Sequence, residues 1–156
     1  MHDAYVAGTG ILTPSILGLL SKGDAPGTEE SARAELARWL AECVWYPTAL
    51  LPSQGVEWEA VEATSAQATM TDGLIRLTML YRFGDDRLIS GIHLNARAVL
   101  VDGQTVMLPW TGRFSDYRRQ DGMLLPNNAE VAWITPGGET PYFRGEVKNL
   151  TYRFAQ

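Results

Sequence analysis

The sequence predicts an α+β protein that is mainly β: a long, curved antiparallel meander of about seven strands, a half-barrel, covered by one amphipathic helix. Apolar residues recur at helical spacing over residues 28–46, and from Val56 onward they alternate with a period of two. Asp-Gly pairs separate the alternating runs, and such pairs are a strong signal for hairpins. Because consecutive hairpins form a meander, we expect one sheet in a single domain over residues 1–156.

Two segments near the N-terminus are candidates for helices. In residues 1–27, a Thr-Pro pair and a later glycine bound a short helix over 13–22, with an irregular edge strand as the alternative. The helix over 28–46 begins at Thr28, an N-cap residue, and ends before Pro47, which pushes the preceding residue out of the helical region. Its apolar stripe must cover other apolar residues, so we expect it to lie on the sheet.

The strands follow from the alternation and from the turn residues between the runs. In 74–83, apolar and polar side chains alternate without interruption, so one face of this strand faces the core. The same pattern in 87–100 predicts Leu94 on the apolar face and Arg97 on the opposite face. Pro109 lacks an N–H group, which predicts a bulge or bend. The predicted strands, which together form a sheet over 56–154, are 56–62, 65–70, 74–83, 87–100, 104–117, 123–134 and 142–154.

Composition and motifs argue against several classes of protein. With 46% apolar and 20% charged residues in 156, the chain can bury a core without disulfides or metals. The net charge of −5 argues against a nucleic-acid partner, which would need a concentrated basic face. The apolar runs are shorter than the roughly 20 residues of a membrane helix, and signal-peptide features are missing, so we expect a cytoplasmic chain without a membrane span. We expect no metal, no cofactor and no catalytic nucleophile, since no motif for them occurs.

A charged cluster is predicted on two neighbouring strands. If the strands that flank the Asp-Gly turn at 121–122 pair with each other, Glu130 lies opposite Arg113. The simpler interpretation is a cross-strand ion pair. In the alternative, Arg97, Arg113 and Tyr117 orient an anionic or polar group of a ligand beside Glu130. A small hydrolase or isomerase that uses Glu130 and Tyr117 would need these groups to converge in a cleft.

Large aromatic side chains occur on many of the predicted strands, and on a concave face they either fill a core or line an apolar cavity. The leading hypothesis is a non-enzymatic module that binds an apolar or amphipathic small molecule between the curved sheet and the helix. It predicts a cavity of roughly a few hundred Å³. The alternative is a homodimeric interaction module that pairs through a sheet edge or an exposed aromatic face. The candidate lining residues are Leu36, Trp58, Tyr81, Trp110 and Trp133.

Three sequence elements resemble those of an uncharacterised bacterial domain family. They are R-x-L-A-E-x-x-W-x-P-x-A-L-L-P from Arg38, W-x-G-x-x-x-D-Y from Trp110 and E-V-A-W from Glu130, and the likeness covers roughly residues 30–154. Members tend to be longer at the N-terminus, so the resemblance implies a chain that starts inside the family pattern. More distantly, the segment DYRRQDGMLLPNNAEV is similar to strands of lipoprotein-carrier half-barrels of the LolA/LolB type, which hold acyl chains between a curved sheet and covering helices. This second likeness agrees with the predicted fold and assigns no activity.

Overall fold

The computed structural model describes the backbone of residues 4–6 and 9–11, and residues 29–150 and 152 in full. The helix expected over 13–22 lies outside these residues. In chain order the elements are β1 (Ala4–Val6), β2 (Thr9–Ile11), α1 (Glu29–Glu42), β3 (Val56–Glu62), β4 (Ser65–Asp72), β5 (Ile75–Phe83), β6 (Ile89–Val101), β7 (Gln104–Gln120), β8 (Met123–Thr135) and β9 (Gly138–Glu146).

Strands β3 to β9 form one open antiparallel sheet in which every strand pairs with its neighbours in sequence. This confirms the predicted mainly-β meander of seven strands with one covering helix. The turns Asp102-Gly103 and Asp121-Gly122 connect their strands with two residues each, and all four of these residues have positive φ. That is the conformation of type I′ hairpin turns, which Asp-Gly adopts readily. Strands β1 and β2 form a separate two-stranded hairpin.

Helix α1 ends four residues before the predicted boundary at 46. Its continuation, Cys43–Trp45, tightens into a 3-10 turn, and Tyr46 leaves the helical region with φ −136° and ψ 65°. The cause is Pro47, because a proline restricts the residue before it and forces the last turn to close early. Two further short 3-10 turns, Pro47–Leu50 and Pro52–Gln54, carry the chain to β3.

The core lies between α1 and one face of the sheet, which we call the helix-facing face. The opposite face is called the outer face. Tyr81 is fully buried and donates a hydrogen bond of 2.7 Å from its hydroxyl to the carbonyl oxygen of Leu40. Helix α1 also contacts β1 and β2. The central core residues are Leu36, Leu40, Val44, Val56, Ala68, Leu77, Met79, Tyr81, Ile92, Trp110 and Phe114.

A β-bulge in β6 changes the face on which Arg97 lies. Leu94 pairs with Trp110 but Arg97 pairs with Leu108, so two residues of β6 stand opposite Pro109 alone. Trp110 and Leu108 are two residues apart in β7 and therefore lie on the same face of the sheet. Their partners in β6, Leu94 and Arg97, lie on that face as well. The prediction that Arg97 lies opposite Leu94 was therefore wrong. The physical reason is the missing N–H group of Pro109, which cannot continue the ladder and favours a bulge.

The last strand lies earlier in the chain than predicted: β9 spans 138–146 and not 142–154. Thr135 pairs with Gly138, so only two residues form the turn and the strand begins at once. After β9, the N–H group of Val147 donates to the Asn127 carbonyl over 2.8 Å, and the Tyr152 hydroxyl donates to the Trp45 carbonyl. Residues 147–150 are therefore not part of the sheet, and Tyr152 returns to the 3-10 turn after α1; residues 151, 153 and 154 of the predicted strand lie outside the described residues.

Candidate functional site

The predicted site residues separate onto the two faces of the sheet. Arg113 and Glu130 lie on the outer face, directly opposite each other in the β7–β8 register. Tyr117 lies further along β7 and packs against the core. The residues in contact with the core on the helix-facing side are Leu36, Trp58, Tyr81, Arg97, Trp110 and Trp133.

Arg97 is held between two indole rings and α1. Its Cζ atom lies 4.8 Å from the ring centroid of Trp110 and 5.4 Å from that of Trp133, which are cation–π distances. Its Nε and Nη2 atoms donate to the carbonyl oxygen of Ala34 over 3.4 and 3.3 Å. Tyr142 of β9 completes the group, because its ring stacks on Trp133 at 5.6 Å and its hydroxyl accepts a 2.9 Å hydrogen bond from Trp110 Nε1. We call Arg97, Trp110, Trp133 and Tyr142 the Arg97 cluster.

The aromatic pair at the other side of the sheet is core packing. The rings of Trp58 and Tyr81 lie 5.2 Å apart, and Trp58 Nε1 donates to the Leu50 carbonyl over 2.8 Å. Burial raises the pKa of the Tyr81 hydroxyl well above its ordinary value, so this group is a neutral hydrogen-bond donor to Leu40. Leu36 is 1% exposed. These three predicted lining residues pack in or against the core.

The pocket between α1 and strands β6 and β7 is small, with a volume of about 30 Å³. That space accommodates about one or two water molecules and is far below the roughly 300 Å³ of the smallest usual ligand sites. The expected cavity of a few hundred Å³ is therefore not open at this place. None of the five predicted lining residues lines this pocket, whereas Arg97, predicted to orient a polar group of a ligand, does. The lining residues are Glu30, Arg33, Ala34, Leu94, Ala96, Arg97, Ala98 and Met107.

The charged cluster on the outer face is an ion-pair network across three strands. Arg113 lies 3.3 Å from Glu130 and 2.5 Å from Glu139, and Arg144 pairs with Glu130 from β9. The hydrogen bond to Glu139 raises the pKa of Arg113, and the same bond lowers the pKa of Glu139. The predicted cross-strand ion pair of Arg113 and Glu130 is thus present. In the network as a whole, two arginines are balanced by two glutamates. An open groove of about 540 Å³ runs along this network, lined by Arg113, Ser115, Asn128, Ala129, Glu130, Arg144, Gly145 and Glu146.

The groups proposed for acid–base chemistry do not converge. Tyr117 lies four residues along β7 from Arg113, a separation of about 13 Å in an extended strand. Its hydroxyl donates a 2.6 Å hydrogen bond to the Ile89 carbonyl, and burial raises its pKa above the ordinary range. Arg97 is on the other face of the sheet from Glu130. The polar cluster of Arg97, Arg113, Tyr117 and Glu130 is therefore not assembled in this structure.

The end of α1 is fixed to β7 and β8 through Trp45, as the aromatic residues between the helix and the first strand had indicated. Trp45 Nε1 donates to the Pro126 carbonyl over 2.8 Å, and its ring meets Phe114 edge-on at 5.7 Å. Asp116 has φ +56° within β7, and its carboxylate accepts hydrogen bonds from Arg118 over 2.7 Å and from Asn127 over 3.3 Å. Aspartate tolerates this left-handed conformation better than most residues.

A family model described as "Family of unknown function (DUF6920)" matches residues 1–152. The chain belongs to this family. The match extends the likeness seen in the sequence elements, which began near residue 30, to the first residue. No curated protein and no solved structure matches the chain.

The elements that resemble the family meet in three dimensions around the anchored end of α1. The W-x-G-x-x-x-D-Y element lies on β7, the E-V-A-W element lies on the adjacent β8, and Trp45 of the first element packs on Phe114 of the second. The DUF6920 chain thus places its sequence elements at the helix–sheet junction. Among the residues that the structure describes, no helix is long and apolar enough to span a membrane, and no group of acidic, His and Cys side chains is placed to hold a metal ion.

Proposed function

We propose that this protein is a non-enzymatic module that binds an apolar or amphipathic small molecule between the helix-facing face of the sheet and α1. The observation that supports it is the row of large aromatic side chains that four different strands present to one helix: Trp58 on β3, Tyr81 on β5, Trp110 on β7 and Trp133 on β8. Trp58 and Trp133, at the two ends of this row, are only partly buried.

Binding requires α1 to shift, since the pocket beneath it holds only about 30 Å³. On the side of α1 toward Arg97, the apolar residue that lines the pocket is Ala34, beside Glu30 and Arg33. An alanine side chain buries far less apolar area than a leucine, so separating this side from the sheet costs less than separating the side of Leu36 and Leu40. Entry of the ligand is therefore proposed at the pocket beside Arg97.

Native mass spectrometry of freshly purified protein tests the proposal, because it reports a co-purified ligand and the subunit number together. Tryptophan fluorescence titrated with dodecanol gives a second measurement. Ala96→Phe places a ring in the wall of the pocket and is expected to weaken binding of dodecanol. Ala63→Phe, at an exposed turn far from the pocket, is the matched control and is expected to bind as the unmodified protein does. Absence of saturable binding, together with no co-purified ligand, would overturn the proposal.

The homodimer alternative finds little support at the edges of the sheet. The two edge strands are β9 and β3. Strand β9 contains Pro141 and a register shift, and β3 carries Glu57 and Glu59 and a register shift after Ala60. Proline, charged side chains and bulges are the features by which natural sheets prevent pairing at their edges. The alternative stays a prediction. It would be favoured by a native mass of two subunits together with a contact between the subunits that includes an edge strand of the sheet.

A further inference from the structure

We propose that one end of the sheet, where the β4–β5 and β6–β7 connections lie, docks on the surface of a zwitterionic phospholipid bilayer. We call these two connections, residues 72–75 and 101–104, the rim. They lie at the same end because β4 to β7 are consecutive antiparallel strands, in which every second turn lies at one end. This inference goes beyond the proposed function. Binding of vesicles and binding of dodecanol are measured separately, so either can fail alone.

The first argument is the exposure of apolar side chains at this end of the sheet. Leu74 is fully exposed between β4 and β5. Val101, the last residue of β6, and Met107, near the start of β7, are each about half exposed. Transfer of such side chains from water into an apolar phase is favourable, and a leucine gains more than most residues. Exposed apolar side chains on neighbouring turns therefore favour an apolar partner.

The second argument is the shape of the β6–β7 hairpin. Among the described residues, pairing of β6 with β5 ends at His93 and pairing of β7 with β8 begins at Trp110. Strands β6 and β7 continue to pair with each other beyond both neighbours, as far as Val101 and Gln104. The last four pairs present apolar side chains to both faces: Ala98, Val99, Leu100, Val101, Val106 and Met107.

A hairpin that is apolar on both faces is better covered by a bilayer interface than by one flat protein surface, because the interface surrounds both faces at once. An open two-stranded hairpin cannot cross the hydrocarbon core, since its edges carry backbone polar groups. The end of the hairpin therefore enters the region between the head groups and the acyl chains, as interfacial segments do. Leu74 enters from the neighbouring β4–β5 turn.

The third argument is the charge of the rim, which fits a zwitterionic surface and not an anionic one. The rim contains two acidic residues, Asp72 and Asp102, and no lysine or arginine. Anionic membranes attract basic segments, whereas this chain has a net charge of −5. In phosphatidylcholine the outermost group is the choline cation, which attracts the two carboxylates. The opposite end of the sheet differs, because Arg118 and Arg119 precede its β7–β8 turn.

Co-sedimentation of the full chain with sucrose-loaded vesicles tests the proposal. We expect the protein to partition into the pellet of phosphatidylcholine vesicles and to partition less into that of phosphatidylglycerol vesicles. Leu74→Ser and Val101→Ser are expected to weaken partition into phosphatidylcholine about ten-fold and about five-fold, because each removes a side chain that enters the apolar phase.

Two matched controls lie at the opposite end of the sheet. Val61 is 49% exposed beside the β3–β4 turn, compared with 44% for Val101, and Leu124 is exposed beside the β7–β8 turn. Val61→Ser and Leu124→Ser are expected to partition as the unmodified protein does. All four positions are exposed, so their thermal transitions are expected to stay close to that of the unmodified protein.

A fluorescent label reports which end of the sheet meets the lipid. Leu74→Cys and Leu124→Cys are each labelled with an environment-sensitive NBD group, and the native Cys43 is fully buried. On addition of phosphatidylcholine vesicles we expect the emission at position 74 to rise and shift to the blue, and the emission at position 124 to stay unchanged.

Several results would overturn the inference. One is a lack of partition into phosphatidylcholine vesicles, and another is an equal loss in the rim variants and the controls. Preference for phosphatidylglycerol would contradict the argument from charge. A native mass of two subunits that both rim substitutions return to one would assign the rim to a contact between two copies of the chain.

Discussion

Replacing Leu36 with alanine should destabilise the protein strongly if α1 covers the sheet as described. Leu36 is 1% exposed and belongs to the core between α1 and the sheet, so truncation removes three buried carbon atoms and leaves a cavity. Such substitutions cost about 2–5 kcal/mol in free energy of unfolding. For a chain of 156 residues, a loss of about 3 kcal/mol lowers the melting temperature by about 6–12 °C.

Urea unfolding followed by tryptophan fluorescence measures this effect. With a slope of about 2 kcal/mol per M, the same loss lowers the urea midpoint by about 1.5 M. Leu74→Ala is the matched control, since Leu74 is fully exposed at the β4–β5 turn and its truncation should change the free energy of unfolding by less than about 0.5 kcal/mol. Equal midpoints for the Leu36 and Leu74 variants would refute the packing of α1 on the sheet.

Three further predictions concern single groups. Arg113 lowers the pKa of Glu139 in the folded state, so their pair stabilises the folded protein above the ordinary carboxyl pKa, and this stabilisation is lost as the pH falls through the folded-state pKa. Glu139→Gln should therefore make the urea midpoint depend less on acid pH. An unchanged pH dependence would contradict the pairing. Burial raises the pKa of the Cys43 thiol, so a thiol reagent at about pH 8 should label Cys43 only after unfolding, and labelling of the folded protein would show that it is accessible. Tyr81→Phe removes the hydrogen bond to Leu40 and should cost about 1 kcal/mol in urea unfolding, whereas no loss would mean that this bond contributes nothing.

The local alternation of the sequence was sufficient to predict β3 to β8 and the faces of β5, where Ile75, Leu77, Met79 and Tyr81 are all buried. It was insufficient for Arg97, because the face of a residue beyond a bulge depends on the neighbouring strand. Pro109 predicted a bulge or bend in this part of the sheet. Only the pairing register of β6 and β7 shows that the extra residue lies in β6.

The candidate site was less predictable than the fold for a related reason. The sequence correctly placed Glu130 opposite Arg113, since a hairpin with a two-residue turn fixes its own register. It could not show that Glu139 and Arg144 of β9 complete the network, since the position of β9 was predicted four residues too late. Whether aromatic side chains fill a core or line a cavity depends on how closely α1 approaches the sheet, and that distance is a property of tertiary packing.

The arginine side chains on the two faces of the sheet have different structural roles. On the outer face, Arg113 and Arg144 meet Glu130 and Glu139 in water, where such pairs mainly hold three strands in register and contribute little else. On the helix-facing side, Arg97 lies against the faces of Trp110 and Trp133 and donates to the Ala34 carbonyl of α1. The arginines of the outer face therefore join neighbouring strands to one another, whereas Arg97 joins β6 to the helix.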